Sequence, residues 1–258
     1  MKIYEPAGRA REYSPLALNY FKGCDHGCKY CYVQPMMKRF NANYDHSVVS
    51  CDLNLRELEK SILSLSKEDR KKQILLSFTG DPYCNFETDQ TKQVLEVLLK
   101  HQLHVAILTK NPHKALKDID LFRQFEHFKI GTTLVVADEA KRQEWEPGTI
   151  HSSKRIEALE RFQSEGIITW ASFEPVIYPD QSLAMLKDVA SFIDHVKVGK
   201  LNNYKGLDSN IDWGKFLFDA VFMMRSYGLK FYIKNDLAKY NKGVYLSGDE
   251  INEDFLNI

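Results

Sequence analysis

Three cysteines share one short string, Cys24-Asp-His-Gly-Cys28-Lys-Tyr-Cys31, with three and then two residues between them. Thiols this close seldom suit disulfides with one another, but one loop can wrap their thiolates around a single metal or cluster. Three thiolates can hold three irons of a 4Fe–4S cube, which then needs a fourth ligand. An iron left open can take a small molecule through its amino and carboxylate groups. With His26 the same string offers a Cys3His set for zinc. Cys51 or Cys84 can instead close an electron-transfer cluster, which would make the chain a non-catalytic redox or interaction protein. Gly23 and Gly27 let the backbone pass close to whatever is bound, with amides free to donate to sulfides. The chain has 5 cysteines, an odd count, so they cannot all pair, and a reducing, cytoplasmic setting is expected.

Such a loop needs a frame. Apolar runs at Leu16–Phe21, Ile74–Phe78, Val105–Leu108, Phe128–Val135, Ile167–Phe173, His195–Val198 and Leu229–Ile233 read as buried strands. Helical stripes lie between them: Leu55/Leu58/Ile62/Leu65, Val94/Leu95/Leu98, Leu116/Ile119/Phe122, Ile156/Leu159/Phe162, Leu183/Leu186/Val189 and Leu217/Val221/Met224. Asn54 and Glu57 make a capping pair at the start of the first stripe. The alternation predicts an α/β fold, a parallel sheet with helices outside, as an open doubly wound sheet or a complete or partial (β/α) barrel. No Gly-x-Gly-x-x-Gly follows the first strand, which counts against the dinucleotide-binding version.

Nearly every strand run ends in a polar cluster: Thr79-Gly80-Asp81-Pro82, Thr109-Lys110, Thr132-Thr133, Glu174-Pro175, Gly199-Lys200-Leu201-Asn202 and Lys234-Asn235-Asp236. The carboxyl ends of parallel strands form the active face of such folds, and the cysteine string, following the first strand, belongs to that face.

The 258 residues, 44% hydrophobic and 27% charged, suffice for a full core, and no linker divides them. One domain is expected over 1–258, with its core at about 16–235 and a tail at 236–258. The 35 Lys+Arg balance 35 Asp+Glu, which excludes a polycationic nucleic-acid coat and an acidic disordered chain. No apolar run approaches the ~20 residues of a membrane span, and Met1–Ala10 lacks the order of a signal peptide.

The wider string Tyr20-Phe-Lys-Gly-Cys24-Asp-His26-Gly-Cys28-Lys-Tyr30-Cys31-Tyr32 resembles the radical S-adenosylmethionine superfamily, in particular its branch around spore photoproduct lyase. Thr79-Gly80-Asp81-Pro82-Tyr83, Leu108-Thr109-Lys110, Glu146-Pro147-Gly148 and Glu174-Pro175-Val176 match the same branch, in the expected order. The resemblance implies a partial, TIM-like (β/α)6 barrel, with Leu229–Ile233 and the tail as extra strand and cap. It implies an enzyme of lyase or transferase type in which Cys24, Cys28 and Cys31 hold a 4Fe–4S cluster and S-adenosylmethionine chelates the open iron. A low-potential electron then splits the sulfonium, giving a 5′-deoxyadenosyl radical that abstracts hydrogen from the substrate.

By the same resemblance Tyr30 lies near the adenine, Gly80 and Asp81 meet the methionine amino group or ribose, and Lys110 pairs with the methionine carboxylate. Thr132 or Thr133 helps to hold the methionine or ribose, and Glu174 contacts cofactor or substrate. A flavodoxin- or ferredoxin-like donor is implied. The substrate leans towards a nucleic acid or nucleotide, with Lys200, Lys234 and nearby asparagines offered to phosphates. The lyases carry a hydrogen-returning cysteine where this chain has Phe78, so Cys84, a few residues on, is the candidate for that role. That departure, the short chain and the neutral charge count against photoproduct repair itself.

Overall fold

The computed structural model describes residues 1–202, 204 and 206–258. Its strands are β1 (Ile3–Tyr4), β2 (Leu16–Leu18), β3 (Phe21–Lys22), β4 (Ser50–Cys51), β5 (Ile74–Leu76), β6 (Val105–Thr109), β7 (Phe128–Thr133), β8 (Ile168–Val176), β9 (His195–Lys200) and β10 (Lys230–Ile233). The main sheet runs β1-β2-β5-β6-β7-β8-β9-β10. β1 is antiparallel to β2, and every later neighbour pairs in parallel. No described residues pair β10 back to β2, so the structure is the expected α/β partial barrel with one further strand, β10.

Alternation along the strands sorts side chains to two faces. Leu16, Leu18, Ile74, Leu76, Val105, Ile107 and Ile130 face outward into one core with Leu58, Ile62, Val94, Leu95, Leu98 and Phe162 from the surrounding helices. Leu75, Ala106 and Trp170 point to the other side, into the lumen, with Tyr13 and Phe78 beside them. Gly131 makes that lumen possible: a Cβ there would stand 2.5 Å from the Trp170 indole. Trp170 Nε1 donates to the Ile107 carbonyl at 3.0 Å, so the ring is fixed across three strands.

The open side is filled by residues 12–14. Ser14 Oγ donates to Gln73 O at the β5 edge (2.8 Å), and Gln73 Nε2 returns a bond to Tyr13 O (3.1 Å). From the opposite edge, Lys197 Nζ donates to Glu12 O (2.9 Å), while Tyr232 OH and Asn235 N both donate to Glu12 Oε1 (2.8 Å each). The last residues of the tail, from Asp254 on, cap the amino-terminal end of the sheet. Arg11 grips Asp254 through two bonds (2.9 and 3.2 Å), Lys129 Nζ donates to Leu256 O, and Ile258 O meets His104 Nδ1 at 2.9 Å. Among the described residues no helix is long and apolar enough to cross a membrane.

Some expectations need correction. The run Leu16–Phe21 splits after Leu18, and Phe21–Lys22 leaves the sheet to pair antiparallel with Ser50–Cys51. Asn19 sits at the break, its Oδ1 accepting from Phe78 N (2.7 Å) and Ser77 Oγ (3.1 Å). Glu174-Pro175 does not end its strand: β8 continues to Val176 with a register shift, because Pro175 has no amide for the ladder. The Leu116/Ile119/Phe122 stripe is three short turns, Pro112–Ala115, Leu116–Asp118 and Ile119–Phe122. Asn54 caps the helix Leu55–Leu63 as expected, accepting from Glu57 N at 3.1 Å.

Candidate functional site

The cysteine loop begins where β3 ends, at the carboxyl end of the parallel strands. Two neighbouring segments hold it. Cys24 N donates to His46 O (2.8 Å), and His46 Nε2 lies 3.4 Å from Cys31 Sγ. Gly23 has φ +83°, and the His46 and Val48 carbonyls fill the space a side chain would need, so glycine is required twice over. On the other flank Gly148 N donates to His26 O at 2.9 Å, with the backbone of Asp25 and His26 where a Cβ would project.

All three thiols are partly exposed, yet burial raises each one. Cys24 is pushed far up by desolvation and by the charge of Asp81. Cys28 is pushed up to about 12 by desolvation, with Lys110 opposing and Glu146 adding to it. Cys31 also rises through desolvation, against the amides of Val33 and Gln34. Such thiols stay protonated near neutral pH until a cation displaces the protons, which is how metal loading proceeds. Three soft, desolvated sulfurs on one loop therefore fit an iron–sulfur cluster.

Cys24 Sγ, an Asp25 oxygen and a His26 nitrogen also lie within 4.8 Å of one another. The fold already occupies two of these. Asp25 accepts from Asn85 N (3.1 Å) and Phe86 N (2.9 Å). His26 Nε2 meets Asp81 Oδ2 at 3.1 Å and Nδ1 meets Gly148 O at 3.2 Å. Both partners of the imidazole are acceptors, so the fourth ligand of a Cys3His zinc set is turned away from that task.

Tyr30, between the second and third cysteines, donates its hydroxyl to Glu146 Oε1. Glu146 is fully buried, and Arg155, also fully buried, pairs with it at 2.7 Å. Burial would raise this carboxyl, but Arg155, Lys110 and the Tyr30 hydroxyl outweigh it and hold it at about 2. Lys110 Nζ stands 3.6 Å from Glu146 and 5.3 Å from the centre of the Tyr30 ring, and makes no hydrogen bond among the described residues. Tyr30 and Lys110, expected at different ends of the cofactor, thus stand side by side. Glu146 and Arg155 beneath them were missed as site residues, although Glu146-Pro147-Gly148 had been matched as a motif.

Asp81 is buried on the adjoining strand end. Oδ1 accepts from Thr109 Oγ1 (2.6 Å) and Tyr83 N (2.8 Å), and Oδ2 from Lys110 N (2.8 Å) and His26. Desolvation opposes its ionisation, but these partners, His26 foremost, hold it at about 2. Gly80 nests against the loop entry, where a Cβ would stand 2.7 Å from Gly23 O and Phe21 Cβ. Thr132 Oγ1 donates to Thr109 O (2.7 Å), and the Thr133 carbonyl accepts from Arg155 (2.8 Å), so both threonines join the same strand ends.

Glu174 lies in a second group. Its Oε2 accepts from Lys234 Nζ at 2.7 Å and from the Tyr13 hydroxyl at 2.5 Å, and Tyr13 also meets Ser172 Oγ at 3.0 Å. Gly199 of β9 lies under this pair, and a Cβ there would be 2.9 Å from both Glu174 Cδ and Lys234 Cδ. Neither lysine offered to phosphates stands free: Lys234 is paired with Glu174 and Glu12, and Lys200 with Asp208 at 2.8 Å. Tyr13 carried no sequence signal, because a residue in the loop before the first parallel strand reaches the lumen only through the fold. Cys84 is fully buried in the turn after Asp81, and desolvation with the charges of Asp81 and Asp25 pushes its thiol up to about 12.

Among solved structures, spore photoproduct lyase complexed with a dinucleoside spore photoproduct superposes with a TM-score of 0.66 at 15% identity, covering 89% of this chain and 78% of the lyase. Streptococcus suis SuiB bound to S-adenosylmethionine gives 0.63 at 14% identity, covering 90% of this chain and 53% of SuiB. These likenesses show the fold. An uncharacterized protein of Methanocaldococcus jannaschii is 32% identical over 165 residues, which is 63% of this chain and 60% of that protein. The chain therefore spans little more than half the length of some relatives. The profile of the Radical SAM superfamily matches residues 18–193, the stretch holding the cysteine loop and the strand ends around it, and the chain belongs to that superfamily.

Proposed function

We propose that the chain binds a 4Fe–4S cluster through Cys24, Cys28 and Cys31, takes S-adenosylmethionine beside it, and carries out radical chemistry on a substrate entering at the carboxyl ends of the strands. One observation carries the reading. Three desolvated thiols share a loop with Tyr30, directly beside a lysine whose nearest carboxylate is already held by Arg155 and Tyr30. Together the two cofactors supply reductive cleavage of the sulfonium carbon–sulfur bond and, from it, a hydrogen-abstracting 5′-deoxyadenosyl radical. The chain's own residues orient and enclose them.

Lys110, its ammonium free of hydrogen bonds among the described residues, meets the methionine carboxylate. Tyr30, anchored through its hydroxyl, offers its ring to the adenine, while Thr132, Thr133 and the Gly80 backbone line the methionine and ribose. Glu174 is a contact to cofactor or substrate. For Cys84 to return hydrogen to a product radical its turn must open, so Cys84→Ala is expected to spare 5′-deoxyadenosine release and to alter product yield alone.

The test is anaerobic reconstitution. About four irons per chain and 5′-deoxyadenosine release with a strong reductant, or with a low-potential flavodoxin- or ferredoxin-like donor, are expected. Replacement of any one of the three cysteines by Ala should abolish release. Continued cleavage by the triple variant would refute the reading. Spore photoproduct lyase has been solved with a dinucleoside and SuiB with a precursor peptide, so deuterated nucleotides and peptides are the first candidates for deuterium transfer into 5′-deoxyadenosine.

A further inference from the structure

We infer that Asp81 is a positioning residue and not a cofactor ligand: its carboxylate couples the cluster loop to the strand end that carries Lys110. The inference deepens the reading just given, and it replaces the role expected for this carboxylate from sequence. A carboxylate has about four lone-pair sites. Here Thr109 Oγ1, Tyr83 N, Lys110 N and His26 Nε2, at 2.6 to 3.1 Å, occupy them. None is left for the ammonium of an amino acid.

The four donors come from three places. His26 is two residues from Cys24 and two from Cys28, and its backbone carbonyl is pinned by Gly148 N. Thr109 and Lys110 end β6, and Tyr83 fixes the turn in which Asp81 itself sits. Bonds to an ionised acceptor are the stronger kind. One buried carboxylate thus sets the position of the middle of the cysteine loop and of the Lys110 backbone at once, with Gly80 allowing the close approach.

The consequence is an ordered set of defects. In the cofactor-free full-length chain, Asp81→Asn should speed amide hydrogen exchange about tenfold or more, both at Lys29 and Gly148, whose amides bond to Trp145 O and His26 O, and at Lys110–Asn111. His26→Phe should affect the loop alone, and Thr109→Val the Lys110 end alone. His26→Gln, which can place an N–H near the position of Nε2, should restore loop protection. The strand amides of Ile107 and Ile130 should not change in any variant, which separates the latch from a general loss of stability.

In reconstituted protein, Asp81→Asn should alter the electron paramagnetic resonance signature of the reduced cluster and raise KM for S-adenosylmethionine. Thr109→Val should raise KM with the signature unchanged. The inference is overturned if Asp81→Asn raises KM while both exchange sites and the signature stay as in the parent, the behaviour of a direct ligand. It is equally overturned if His26→Phe and His26→Gln exchange alike. Should Asp81→Asn fail to fold, the His26 pair and Thr109→Val decide the question. If the parent chain loads no cluster, the proposed function fails, while the exchange measurements still judge the latch.

Discussion

Glu146 shows what a single side chain contributes to this site. With Arg155 it forms a fully buried ion pair, and removing one partner strands a charge. Arg155→Met is therefore expected to destabilise the cofactor-free chain by about 3–5 kcal/mol, measured from the urea midpoint. Glu146 and Asp81 are both held at about 2 in the folded chain, below their unfolded values. Their contribution is complete above about pH 4.5 and is lost as pH falls towards 2, since protons then bind the unfolded chain more readily. Urea midpoints taken from pH 6 to 2 should fall steeply over that window, and Glu146→Gln should flatten the fall. Lys110→Met should raise KM for S-adenosylmethionine about tenfold, in line with loss of one charge-assisted bond, while iron content stays at the parent level.

At the scale of elements, two glycines of the parallel strands decide what can stand in the lumen. Gly131 yields its side-chain volume to Trp170 and Gly199 yields its own to the Glu174–Lys234 pair. Gly131→Ala presses a methyl group onto a ring already bonded to Ile107 O, so a loss of about 1–3 kcal/mol is expected in denaturant unfolding, with the slope unchanged. The strands themselves were legible, because strands buried on both faces must be almost continuously apolar. Their ends were less so. The break after Leu18 depends on Asn19 receiving bonds from Ser77 and Phe78, about sixty residues along the chain, and the passage of β8 through Pro175 depends on a register shift against β9. Neither partner is visible in a local window of residues.

At the scale of the molecule, the barrel is closed by its own ends. Residues 12–14 fill the open side and the tail seals the amino-terminal end, where Leu256 is almost fully buried. Leu256→Ala should cost about 2–4 kcal/mol in the urea midpoint. The last residues of the tail, Asp254 to Ile258, thus supply the expected cap at the end of the sheet opposite the cysteine loop. Sequence alone determined the α/β alternation, the three cysteines and the polar clusters bearing Asp81, Lys110 and Thr132 that follow or close their strands, because apolar periodicity and ligand spacing are local properties of a chain. Tertiary structure decided which of those groups stay free. Asp81 is consumed by His26, Thr109 and two amides, Lys234 and Lys200 are bonded to carboxylates, and Lys110, paired with Glu146 only at 3.6 Å, keeps an ammonium without a hydrogen bond among the described residues. Whether a polar side chain serves a ligand or the fold depends on which donors and acceptors reach it in the dry interior, and folding brings those from distant positions.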